Sequence, residues 1–154
     1  MTLPPFQTFF DDHRATVHRF LVATLGPQEA DDCFQETFLS ALRAYPRLDG
    51  ESNMRAWIFT IAHRKVIDAR RAGNRRPQPT ELLPEPAVDP PPAPEPQLWQ
   101  AVRSLPPKQG TAVLHRYLND LSYPDIARIL GCSQEAARQN VHQGLKKLRE
   151  VWER

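Results

Sequence analysis

Nine of the twenty residues from Pro77 to Pro96, PQPTELLPEPAVDPPPAPEP, are proline. Proline has no amide proton to donate, and its ring collides with the preceding helical turn. Neither a helix nor a central strand can run through such a stretch. The segment is expected to be a semi-extended, polyproline-like linker, stiffer than a Gly/Ser tether. It carries four acids (Glu81, Glu85, Asp89, Glu95) and no Lys or Arg. It splits the 154-residue chain into residues 1–76 and residues 97–154, each the size of a small domain.

Both blocks read as helical, so the expected fold class is all-α: two small helical domains on a Pro-rich tether. Phe6, Phe9, Phe10, Val17, Phe20 and Leu21 recur at helical spacing until Gly26-Pro27 breaks the chain. A second helix carries Phe34, Phe38, Ala41, Leu42 and Tyr45 on one side, with Asp31 and Asp32 expected in its first turn, where carboxylates suit the helix dipole. Ser52 is expected to cap a third helix whose inward stripe is Met54, Trp57, Ile58 and Ile61 and which continues to Gly73-Asn74. In the second block Leu98, Trp99 and Val102 precede a Leu105-Pro106-Pro107 interruption, and Val113, Leu114, Tyr117 and Leu118 resume the pattern.

The most informative local stretch is ARILGCSQEAARQNVHQG, Ala127 to Gly144. Gly131 can take the left-handed conformation that ends a helix, and Ser133 can cap the next. Ser122, with Asp125 three residues on, reads as the cap of the preceding short helix. Two helices joined by so short a turn form a helix-turn-helix pattern. On the second of them Ala137, Val141, Leu145, Leu148 and Trp152 fall in one sector. Arg138, Gln139, His142, Gln143, Lys146 and Arg149 lie elsewhere on the wheel. Arg pairs with guanine and Gln with adenine in the major groove, and such residues dock near the start of the second helix. A merely solvated helix face has the same composition.

Net charge is only +2, but its distribution is uneven. Residues 63–76 hold six Lys or Arg, and residues 138–154 hold five, on either side of the acidic linker. Two basic patches suit a polyanionic partner. Five histidines and two cysteines show no zinc-ligand spacing, and no phosphate loop or nucleophile elbow is present. The expectation is a non-enzyme with no cofactor and no metal site. No apolar run approaches the ~18 residues of a membrane span, and no signal peptide precedes the first helix, so a cytoplasmic protein without membrane insertion is expected. Cys33 and Cys132 are expected to be core residues rather than a disulfide.

Two stretches resemble a known family. ADDCFQETFLSALRAYPRLDGESNMRAWIFTIAHRKVIDARR (Ala30–Arg71) is similar to region 2 of the extracytoplasmic-function (ECF) sigma factors of bacterial RNA polymerase. LPPKQGTAVLHRYLNDLSYPDIARILGCSQEAARQNVHQGLKKLRE (Leu105–Glu150) is similar to region 4 of the same family. The resemblance implies a subunit that binds polymerase core, through clamp helices and flap, and recognises promoter DNA at −10 and −35 to assist melting. A stand-alone regulator binding duplex operator DNA through the helix-turn-helix is the alternative. Relatives are often held inactive by an anti-sigma factor, so such a partner is a possibility the resemblance raises.

Carried over by position, Asp32, Gln35 and Glu36 would contact the polymerase clamp. Gly50, Ser52 and Asn53 would hold a flipped −10 base, a step that costs a few kcal/mol of stacking. Arg64, Lys65, Arg70 and Arg71 would meet phosphates of the upstream duplex, with Asp68 expected to pair with a neighbouring Arg. Arg138, Gln139, His142, Gln143 and Lys146 would read −35. This chain has Arg64 where many members carry Asn, and Glu135-Ala136-Ala137 where a Gly-Thr-Val run is common, so the promoter motif does not transfer with the resemblance.

Overall fold

The computed structural model describes residues 3–49, 53–75 and 96–152. Gly50, Ser52 and the linker up to Glu95 lie outside the described residues. Among those described, every regular element is helical. Helices α1 (Phe6–Leu25), α2 (Pro27–Ala44) and α3 (Met54–Arg75) form an N-terminal half, with a 3₁₀ turn at Tyr45–Arg47. Helices α4 (Pro96–Ser104), α5 (Pro107–Val113), α6 (Tyr123–Leu130) and α7 (Gln134–Trp152) form a C-terminal half.

The N-terminal half packs three helices around aromatic rings. Phe9 is buried against Phe6, Phe38, Tyr45 and Trp57, with ring centroids 5.4 to 6.4 Å apart. The Tyr45 hydroxyl donates to the Pro4 carbonyl, tying the start of the chain to the bundle. The inward stripe of α3 differs from expectation. Ile58 is buried, but with Ala56, Phe59, Ala62 and Val66, whereas Met54, Trp57 and Ile61 are half-buried. Helix α3 packs against α1, α2 and α6, so no single wheel sector is the inside. Asn53 Oδ1 accepts from Ala56 N at 3.2 Å at the start of α3, and the cap expected from Ser52 falls outside the described residues. Helix α2 starts at Pro27, so its first-turn acid is Glu29, and Asp31 and Asp32 fall one turn later.

The C-terminal half packs by close approach. A Cβ on Gly110 would sit 2.9 Å from the Val102 carbonyl oxygen, and one on Gly144 would sit 2.7 Å from Val113 Cγ2. Gly110 lets α5 meet the backbone of α4, and Gly144 makes room on α7 for the Val113 side chain of α5. After α5 the chain widens into a π-helical turn, Leu114–Leu118, closed by Asn119 N donating to Leu114 O at 2.9 Å. This turn keeps Leu114 and His115 both buried and leaves Tyr117, expected inside, 64% exposed. Asp120 follows with φ 56°, a conformation that aspartate tolerates better than most residues.

The two halves touch. Helix α4 packs on α1, α6 on α3, and the π-helical turn on α1. The Arg103 guanidinium donates to Val22 O at 3.1 Å and Ala23 O at 3.4 Å, carbonyls of the last turn of α1, where a cation also suits the dipole.

Candidate nucleic-acid interface

Helix α6 ends as expected. Gly131 has φ 68° and ψ 40°, and Cys132 N reaches back to Ala127 O at 3.0 Å, a Schellman closure. Ser133 Oγ then accepts from Ala136 N at 3.0 Å and opens α7. At the front of α6, Ser122 Oγ accepts from Asp125 N and donates to Asp125 Oδ2 at 3.0 Å. The caps fix the angle between the two helices, and burial fixes their rotation. Ala137, Val141 and Gly144 face inward, while Arg138, Gln139, His142, Gln143 and Lys146 are all exposed. Gln143 is not wholly free, because its Oε1 accepts from Gln109 Nε2 at 3.0 Å.

Arg138 is oriented by a residue that sequence reasoning missed. Its guanidinium lies over the Tyr123 ring at 5.2 Å, and Arg116 lies over the same ring at 4.5 Å. Arg116 also donates to Leu121 O at 3.1 Å. Two cations on one aromatic ring, each such contact being worth ~0.5–2 kcal/mol, hold positive charge beside the start of α7. The signal was present in the Arg and Tyr residues, but the pairing depends on the π-helical turn.

On α2, Asp32, Gln35 and Glu36 are exposed on one face. That face continues through Leu39 and Leu42, which are 51% and 49% exposed. Leu42 was expected inside. Two outward leucines thus lie beside two acids on this face.

The basic residues of α3 do not share one face. Arg64 and Arg71 are exposed. With Asn53, Trp57, Asp125 and Arg128, Arg64 lines a cavity of about 440 Å³ between α3 and α6. Lys65 is half-buried on the side of Cys33. Arg70 lines a separate cavity of about 230 Å³ with Arg103, and burial lowers its pKa. At 100° per residue, a run of neighbouring cations necessarily spreads around a helix. Asp68 makes no ion pair among the described residues.

Family comparison bears directly on these surfaces. The model for sigma-70 region 2 matches residues 9–76, and that for sigma-70 region 4 matches residues 96–148. The ECF RNA polymerase sigma factor SigC of Mycobacterium tuberculosis is 31% identical, over 88% of this chain and 76% of that protein. This chain belongs to the ECF sigma factors of RNA polymerase. The sigma factor CarQ of Myxococcus xanthus is 29% identical over 95% of this chain and 88% of its own. The fold of this sigma factor is that of RpoE from Bartonella quintana, solved in complex with the anti-sigma factor NepR. The match has a TM-score of 0.81 and 22% identity, and covers 96% of both chains. No helix among the described residues of this sigma factor is long and apolar enough to cross a membrane. Both cysteines are free. Cys33 is buried, which pushes its thiol up to about 11, and Cys132 is half-exposed.

Proposed function

We propose that this sigma factor divides its work at the proline-rich linker. Residues 1–76 dock on polymerase core and meet the −10 region, residues 77–96 tether, and residues 97–154 read the −35 element. Asp32, Gln35 and Glu36, joined by Leu39, take the polymerase clamp. Asn53, with Gly50 and Ser52, takes an unstacked base, and Arg64 and Arg71 take nearby phosphates. Arg138, Gln139, His142, Gln143 and Lys146 face the major groove. Arg116 and Tyr123 hold Arg138 in place, and Arg116 adds a phosphate contact. The polymerase performs the chemistry, the chain works in the cytoplasm without cofactor or metal, and an anti-sigma factor is a fitting regulator.

The observation that carries this reading is one chain with two unlike exposed surfaces. The acid-and-leucine face of α2 suits a protein, and the amide, imidazole and guanidinium face of α7 suits base edges. The test is transcription by purified core enzyme on templates with randomised −35 and −10 elements, with and without the chain. Specific initiation that requires both is expected. Asp32→Ala/Glu36→Ala should weaken association with core, whereas Arg138→Ala/Gln139→Ala should reduce −35-dependent initiation and leave that association intact. Tight binding to duplex DNA without core, and no initiation with it, would favour the stand-alone regulator.

A further inference from the structure

The seam between the two halves is filled unevenly. At His115 it is tightly packed. This residue of the C-terminal half is fully buried, and its ring stacks on Phe20 of the N-terminal half with centroids 4.9 Å apart. Between α3 and α6 the packing is looser, and a cavity of about 440 Å³ remains. That volume falls within the ~300–1,000 Å³ of small-molecule sites.

Both halves line this cavity. Trp57 and Ile61 of α3 and Ile129 of α6 supply apolar wall. Trp57 is half-buried and braced by Phe9 and Tyr45, whose ring centroids lie 5.6 and 6.3 Å away. Its indole is therefore a fixed surface on which a flat ring can stack. Asn53 and Asp125 supply polar atoms, and Asn53 Nδ2 donates to Asp125 Oδ2 at 3.1 Å. Arg64 and Arg128, one from each half, outnumber that carboxylate and leave the lining positive. Arg128 lies 3.8 Å from Asp125, whereas Arg64 has no ion pair or hydrogen bond among the described residues.

A lining of this kind fits a ligand that is flat and apolar on its faces, polar at its edge and anionic at one end. Inorganic phosphate lacks the ring, and a fatty acid lacks the polar edge. We propose that the cavity binds a free nucleoside monophosphate, with the base against Trp57 and the phosphate toward Arg64 and Arg128. Asn53 and Arg64 also belong to the proposed −10 surface. Arg128 and Ile129 come from the other half, so the complete site exists only where α6 packs on α3.

The test is isothermal titration calorimetry on the full chain, without polymerase, with AMP, GMP, CMP and UMP. At least one is expected to bind with a dissociation constant below about 1 mM. Arg128→Ala, at an exposed position, should weaken that binding by about fivefold or more. Thr60→Trp, which fills the cavity, should abolish it, with helix content checked by circular dichroism. If that variant loses its helices, Arg128→Ala decides alone. No binding by any of the nucleotides, unchanged affinity in a folded variant, or inorganic phosphate bound as tightly would overturn the proposal. An unstacked DNA base offers the same chemistry, so a single-stranded tetradeoxynucleotide is titrated beside them. Tighter binding of that strand, indifferent to Arg128→Ala, would give the cavity to promoter DNA and overturn the free ligand. Core enzyme is absent throughout, so a negative result leaves polymerase association and initiation, on which the functional reading stands, to their own assays.

Discussion

The two halves are held together by opposite means. Around Phe9 the N-terminal half fills its centre with large rings. Around Gly110 and Gly144 the C-terminal half brings helices close by leaving out the side chain on one helix of each pair. A ring-filled core is sensitive to removal of volume, because the cavity left behind collapses only in part. A close-approach core is sensitive to addition of volume, because backbone must move to admit even a methyl group. His115 is the exception that joins them: a residue of the C-terminal half packed in the manner of the N-terminal one.

This contrast can be broken or sharpened by measurement. The largest effect is expected for Phe9→Ala, a loss of about 3–5 kcal/mol in denaturant unfolding of the full chain. A loss below 1 kcal/mol would mean that the rings are not the support described. Next comes Gly110→Ala, expected to cost about 1–3 kcal/mol because its Cβ meets the Val102 carbonyl rather than a movable side chain. A neutral or stabilising Gly110→Ala would deny the close-approach account.

The third effect is proton-linked and tests the junction. Burial lowers His63 to about 4 and His115 to about 3, from an ordinary 6.5. Arg70 on α3 adds to the effect on His63, and His63 to that on His115. Asp120, across the seam, pairs with Arg55. Lowered imidazoles favour the closed seam fully above the ordinary value and progressively less below it. The ratio of packed to parted halves should therefore fall by about fivefold per imidazole between pH 6.5 and 5.5. Scattering at the two pH values should show expansion, and His63→Gln/His115→Gln should flatten the dependence. The smallest effect is expected for Ser133→Ala, about 1 kcal/mol of stability from the lost cap. It should also reduce −35-dependent initiation more than core binding.

Local chemistry made the turns legible. Gly26-Pro27, Gly131, Ser122 and Ser133 act through their own backbone or their nearest neighbours, and each sits where its chemistry places it. The exposed face of α7 was legible for the same reason, since one side of the helix packs and the other does not. The inside of α3 was not, because the helix has neighbours on several sides, so Phe59 is buried where Trp57 was expected. The π-helical turn escaped because one extra residue per turn leaves no periodic trace in five residues. With it went the exposure of Tyr117, the Arg116–Tyr123–Arg138 cluster and the seam around His115, all of which depend on contacts distant in sequence.

The placement of Cys33 has a practical corollary. Its thiolate is scarce at neutral pH, and its sulfur is shielded within the three-helix bundle. An alkylating reagent reaches it when the surrounding helices breathe, whereas Cys132 lies closer to solvent. The chain thus carries its own chemical clock. The labelling rate at Cys33 counts excursions of the N-terminal helices, and a partner that quietens them announces itself by slowing that rate.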